Sequence, residues 1–294
     1  MKIRMYVCTY KNNHALNNWF LKSLSESNYP KDLVEVFIID NAARDILHTC
    51  KIDEMYKGSC TLLNNIIPHF STGHLARTWN YSIINGFEDL DKPQCDAVIA
   101  VQNDTILTPN WYESVVETLK TYDFVQQGHG DQFLIFTPNA IKNIGLFDER
   151  FCGIGYQEAD YFLRAVKFYP EKSSINDYAH GRFHNVTQPS PFLIEDTESG
   201  SSRQEPSHLI SMSISHPFSR NFFKHKWGEK NLYFLIDAIK NFNLEDFGWQ
   251  AAVKEAQQLC ANHFTYPYFE NKLNPDTLRN QLYVTPRNVY PVHS

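Results

Sequence analysis

Residues 3–10, IRMYVCTY, form a short apolar run behind a basic residue and predict a first β-strand. Leu16, Trp19, Phe20 and Leu24 then recur at helical spacing, which predicts a helix over 14–27, broken by Tyr29-Pro30. LVEVFIID, residues 33–40, is rich in β-formers and ends in Asp40-Asn41. Strand, helix and strand in that order make a βαβ unit and hence a parallel sheet. A further apolar run spans 61–70, and a turn at Gly73 leads into a helix over Leu75–Phe87. From Asp96, DAVIAVQNDT is almost wholly apolar as far as Gln102, the pattern of a central strand covered on both faces. Pro109 and Trp111 open a helix reaching about Lys120, QFLIFTP reads as another strand, and Pro138 starts a short helix. The stretch from Gly145 to Arg164 is dense in glycine, aromatic and acidic residues and runs into a helix.

The pattern changes after that. Residues 185–208 are rich in Ser, Thr, Pro and Gln and predict a mobile loop. Residues 232–242 and 247–260 read as two amphipathic helices, and the last thirty residues, with four prolines, as an irregular tail. No internal repeat is present.

With 294 residues, 43% of them apolar and 20% charged, the chain has material for one large domain, or one domain with an appended helical lobe. Its aromatic content of 14% suits carbohydrate pockets and ordinary cores alike. A formal net charge of -6 argues against a nucleic-acid partner. The start MKIRMYVCTYKNN is too polar for a signal peptide, and no window is apolar enough for a transmembrane segment. Six widely spaced cysteines without a CxxC pair read as reduced, mostly buried thiols, giving a cytoplasmic expectation.

The candidate chemistry is acidic. Asp40 and Asp104 both fall at the carboxyl ends of predicted parallel strands, beyond which open α/β sheets bind ligands. Either can hold a hydroxyl, a base or a cation, and Asp40 can equally cap a turn. Glu158 and Asp160, in GYQEADYFLRA, sit at a helix start behind Gly153 and Gly155, on different faces. His180 and His184, in AHGRFHN, are candidate metal ligands; with Asp104 one of them makes a mixed oxygen and nitrogen site suited to manganese, with magnesium possible. No phosphate-binding P-loop, HExxH zinc motif, GxSxG elbow or GxGxxG fingerprint is present.

In their order and spacing these segments resemble inverting glycosyltransferases of the GT-A fold, in the family-2-like group that includes bacterial rhamnosyl- and galactosyltransferases. The resemblance runs in pieces from about residue 3 to residue 230. VCTYKNN, with Thr9, matches the opening strand and donor-binding loop, and Asp40 of IIDNAARD stands where an aspartate contacts the base. STGHLARTWNYSI resembles the Asn-x-Gly segment and its helix, which brings Gly73, Arg77 and Asn80 towards the donor diphosphate or sugar. VQNDTILTPNWYE occupies the place of the Asp-x-Asp metal motif. Gln102, Asn103 and Asp104 fill it, and only the last keeps a carboxylate. In FDERFCGIGYQEADYFLRA, Glu158 takes the position of the catalytic base, Gln157 stands beside it in the acceptor site, and Asp160 serves acceptor binding or local support. HGRFH makes His180 the metal or diphosphate contact with His184 as runner-up, and in FFKHKWG Lys226 and Trp227 close the donor site.

The resemblance implies a Rossmann-like α/β fold, a mostly parallel central sheet flanked by helices with a C-terminal helical extension. It divides the chain into a catalytic domain over 1–230, nucleotide-sugar half to 108 and acceptor half from 109, and an extension over 231–294. It implies metal-assisted transfer, with inversion, from a nucleotide-sugar donor (UDP by default, dTDP and GDP open) to a hydroxyl of a glycan or glycoconjugate. The altered Gln102–Asp104 motif and Gln157 leave a second class open, an inactive carbohydrate- or nucleotide-sugar-binding protein. Paired carboxylates leave glycoside hydrolysis as a third.

Overall fold

The computed structural model describes residues 1–43, 46–64, 75–128, 130–148, 151, 156–176 and 194–195. Gly73, His180, His184, Lys226, Trp227, the two predicted C-terminal helices and the tail lie outside them.

Among the described residues seven strands form one mixed sheet. β1 (Ile3–Thr9) pairs in parallel with β2 (Val34–Asp40) on one side and with β4 (Ala97–Gln102) on the other, and β2 pairs in parallel with β3 (Thr61–Asn64). Beyond β4 come β7 (Phe133–Phe136), antiparallel to it, then β6 (Phe124–Gln127), antiparallel to β7, and β8 (Ser173–Asn176), parallel to β6. The order is β3-β2-β1-β4-β7-β6-β8. A short β5 (Ile106–Leu107) pairs antiparallel with β9 (Ile194–Glu195), so two residues of the predicted mobile loop form a strand. A mostly parallel α/β sheet was expected. β6, β8, β5 and β9 are additions: they are short, and β6 and β8 carry glutamine, serine and asparagine, so no apolar run announces them.

Helices cover both faces, which is why β1 and β4 read as continuous apolar runs. On one face Tyr6, Val98, Ala100, Leu134 and Phe136 pack under α3 (Leu75–Phe87), α5 (Pro138–Ile144) and α6 (Tyr156–Phe168). On the other, Met5, Val7, Ile38, Ile99, Val101 and Ile135 meet α1 (Asn13–Ala15), its π-helical continuation Leu16–Leu21, α2 (Lys22–Glu26) and α4 (Trp111–Thr118). The predicted 14–27 helix is therefore present with a wider middle turn, and both Phe20 and Leu21 are buried. α3 lies close to the sheet at Gly86, where an added Cβ would stand 2.2 Å from Val98 Cγ2. Thr137 caps α5, its hydroxyl accepting from the Ala140 N–H at 3.3 Å, with Pro138 in the first turn. No helix among the described residues is long and apolar enough to cross a membrane.

Candidate functional site

The strand order reverses at β1: the chain runs outward through β2 and β3 on one side and returns to the other at β4. In open α/β sheets the crevice beyond the carboxyl ends of strands at such a switch point is where ligands bind. Thr9 and Asp40 stand side by side there, paired in register across β1 and β2, and Gln102 ends β4 opposite Cys8.

Asn103 joins the two sides. Its Nδ2 donates to Thr9 Oγ1 at 2.9 Å and to the Asn12 carbonyl at 3.0 Å, and its backbone N–H donates to the Cys8 carbonyl at 3.2 Å. The loop leaving β1 is thereby tied to the end of β4. Asn12 in turn caps α1 by accepting from the Ala15 N–H at 3.0 Å. Asp104 follows, buried.

Asp40 is buried, and both of its carboxylate oxygens accept backbone N–H groups: Oδ1 from Ala42 at 2.9 Å and Oδ2 from Cys50 at 2.7 Å. This is turn-capping geometry, and it holds the segment after β2 against the crevice. Asn13 and Asn17 grip the same segment, with Asn13 Oδ1 accepting from the Lys51 N–H at 2.8 Å and Asn17 Oδ1 from the Asp53 N–H at 2.9 Å.

A residue that the motifs do not name sits at the centre of the other half. Asp131, buried in the turn between β6 and β7, accepts from Trp79 Nε1 at 2.6 Å, Gln102 Nε2 at 2.5 Å and Gln157 Nε2 at 3.3 Å. Burial raises its pKa above the ordinary carboxylate value, the three side-chain N–H donors working against that rise. Because β7 is antiparallel to β4, the turn before β7 lies at the carboxyl edge of β4; Gln102 N–H donates to the Gln132 carbonyl at 2.9 Å. A chain of parallel strands would carry that turn to the far edge. The sequence signal for it is Gly128 to Asp131, an acid behind two glycines entering an apolar strand, the same kind of feature that marks Glu158.

Glu158 lies in the first turn of α6, 5% exposed, where the helix dipole favours a negative charge. Its carboxylate rests against Gly130, which adopts φ +54°. Gln157, next to it, is the residue that reaches Asp131.

Three further expected residues, Asn80, Asp160 and Arg77, lie on α3 and α6. Asn80 donates to the Phe147 carbonyl at 2.9 Å and accepts from the Phe147 N–H at 2.7 Å, so its amide holds the segment after α5. Asp160 accepts from Arg164 Nε at 3.0 Å in a buried pair, and Arg164 also donates to the Ile144 carbonyl at 2.7 Å. Through Arg164 the pair joins α6 to the end of α5. Arg77 is half-buried in the first turn of α3.

Among the described residues no three His, Cys, Asp or Glu side chains come together as a metal site. Asp104 is the one expected ligand they include, and a single carboxylate does not make a site. The described cysteines are free thiols, with Cys8 and Cys95 buried and Cys50 and Cys60 half-buried. Burial pushes the Cys50 and Cys95 thiols up to about 12.

No protein-family model matches the chain, and no curated protein matches it. Among solved structures, S. aureus TarS residues 1–349 in complex with UDP aligns at 12% identity over 88% of this chain and 77% of that one, with a TM-score of 0.45. The mannosyltransferase PcManGT from Pyrobaculum calidifontis, in complex with GDP-Man and Mn2+, aligns at 13% identity over 98% of this chain and 86% of that one, with a TM-score of 0.38. Against the longer S. aureus TarS structure the identity is 13% and the TM-score 0.40, over 60% of this chain, which spans 35% of that one. Likeness at this level assigns neither a fold family nor a reaction.

Proposed function

We propose that the chain is a glycosyltransferase of GT-A type that moves a sugar from a nucleotide donor to a hydroxyl acceptor with inversion. The observation that carries this reading is the contact series at one sheet edge. Asn103 links the ends of β1 and β4, and Gln102 beside it reaches Asp131, which Gln157 next to Glu158 also reaches. Trp79 of STGHLARTWNYSI donates to the same carboxylate, so described parts of four segments quoted for the family resemblance, far apart in the chain, are linked by these contacts.

In this reading the nucleotide lies beyond β1 and β2, with Thr9, Asp40, Gly73, Arg77 and Asn80 on its side and Lys226 and Trp227 closing over it. UDP is the default. Glu158 takes the proton from the acceptor hydroxyl as that oxygen attacks the anomeric carbon. The bond from that carbon to the diphosphate oxygen breaks, and its electron pair leaves with the diphosphate. Gln157 flanks the acceptor. Asp104 with His180, or His184 in its place, is the ligand set to test for a divalent cation, Mn2+ ahead of Mg2+; such a cation would offset charge on the departing diphosphate.

A binding-only protein is the second reading. Its support is that Gln102 and Gln157, standing where the family has acids, both donate to Asp131. One experiment separates the two: a screen of nucleoside diphosphates and nucleotide sugars, with and without Mn2+, followed by transfer assays on the parent and Glu158→Gln. Transfer with inverted configuration, lowered about 10²–10⁴-fold in Glu158→Gln with donor binding kept, supports the enzyme. Donor binding with no transfer to any acceptor supports the second reading, and equal rates in parent and variant remove Glu158 as the base.

A further inference from the structure

Three elements meet on Asp131: Trp79 from α3, Gln102 from the end of β4 and Gln157 from the first turn of α6. An indole nitrogen can only donate, so Asp131 Oδ2 accepts from Trp79, and Gln157 Nε2 donates to that same oxygen. With both glutamine nitrogens drawn to Asp131, each amide has its carbonyl oxygen turned away from it. Gln157 is 1% exposed, and its Oε1 meets no hydrogen-bond donor among the described residues. Leaving such an acceptor unmade costs stability, as does burying a carboxylate where apolar side chains of equal volume would fit. An arrangement that carries both costs, one residue from the candidate base, is accounted for by a ligand that supplies the missing donor.

We propose that Asp131 is a positioning residue for sugar transfer: it holds the amides of Gln102 and Gln157 nitrogen-inward, so that their carbonyl oxygens accept hydroxyl hydrogens of the bound sugar. This rests on the glycosyltransferase reading above. The ligand class follows from the chemistry, since two oriented acceptors recognise hydroxyl donors and discriminate against analogues lacking them.

The test uses the purified full chain and the nucleotide sugar that the parent turns over. In Asp131→Asn one oxygen is replaced by an N–H2 donor, and a glutamine facing it must turn its amide over. kcat/KM is expected to fall about tenfold or more, while affinity for the nucleoside diphosphate alone and the melting temperature stay near the parent's. Gln157→Met, which removes Oε1 and leaves Asp131 in place, is expected to show the same split and serves if Asp131→Asn does not fold. Unchanged kcat/KM in either variant overturns the proposal. So does a parallel loss of nucleoside diphosphate affinity and melting temperature, the signature of a purely structural role. If the parent turns over no nucleotide sugar, the enzymatic reading fails by itself. Hydrogen exchange of 15N-glutamine side-chain amides then still judges Asp131. Slow exchange at Gln102 and Gln157 that becomes fast in Asp131→Asn keeps the orienting role, and no change removes it.

Discussion

The Glu158 carboxylate occupies the space that a side chain at position 130 would need: a Cβ built on Gly130 falls 2.9 Å from Glu158 Oε1. Gly130 also adopts φ +54°, a left-handed conformation that favours glycine. Gly130→Ala should therefore do two things. It should cost about 1–2 kcal/mol in stability, from backbone strain. It should also push the candidate base out of place, lowering kcat by about 10²-fold, since misplacement of a reacting group by 1 Å has that effect. Urea unfolding and steady-state kinetics on the same preparation check both. A variant with parental kcat would separate Glu158 from the chemistry.

Asn103→Ala removes the donor that Thr9 Oγ1 and the Asn12 carbonyl share. The loss of buried hydrogen bonds should destabilise the fold by about 1–3 kcal/mol. Because those bonds tie the loop after β1 to the end of β4, donor affinity should fall as well. Calorimetric titration with the nucleotide sugar measures this, and unchanged affinity would place the donor elsewhere.

Asp131 makes a prediction about pH. Burial raises its pKa in the folded chain above the ordinary value of 3.8. As pH rises through and above 3.8, the unfolded chain releases this proton first while the folded chain keeps it, so the folded state loses stability with rising pH. Below that value both states are protonated and the contribution is flat. The unfolding free energy of the parent should accordingly drop relative to Asp131→Asn on going from acid towards neutral pH. Urea titrations of the two proteins across that range check the sign; a difference independent of pH would contradict it.

The Asp160–Arg164 pair is buried on both sides. Removing one partner strands a charge, so Asp160→Ala should destabilise the protein by about 3–5 kcal/mol. Differential scanning calorimetry gives the measurement. A melting temperature within error of the parent's would mean that the pair contributes nothing to holding α6 on α5.

Much of the sheet was readable because burial on both faces leaves short apolar runs, too short for buried helices and bounded by polar residues. Ile3–Thr9 and Ala97–Gln102 are runs of apolar residues, and α3 over Leu75–Phe87 follows helical periodicity from end to end. Asp40, Glu158 and Asp160 were recognisable as acids at strand ends or a helix start. Their partners were not, because a carboxylate that accepts from a backbone N–H ten residues on, as Asp40 does from Cys50, looks the same in sequence as one facing a ligand. β6 was not legible for a related reason: two of its four residues are glutamines, buried although polar, with Gln126 donating to the Gly128 and Gly130 carbonyls.

Local pattern, then, determined the apolar strands β1, β2, β4 and β7 and the helices between them, that the strands near the amino terminus run parallel, and which acids stand at their ends. Periodicity and turn chemistry act over a few residues, and a sequence displays them directly. Only the tertiary structure decided that β7 runs against β4. That reversal brings Asp131 from the turn before β7 to the same edge as Gln102, within reach of Trp79 and Gln157. Strand direction beyond the first parallel unit depends on how long-range pairings satisfy backbone hydrogen bonds and cover apolar faces together, and no local run of residues encodes it.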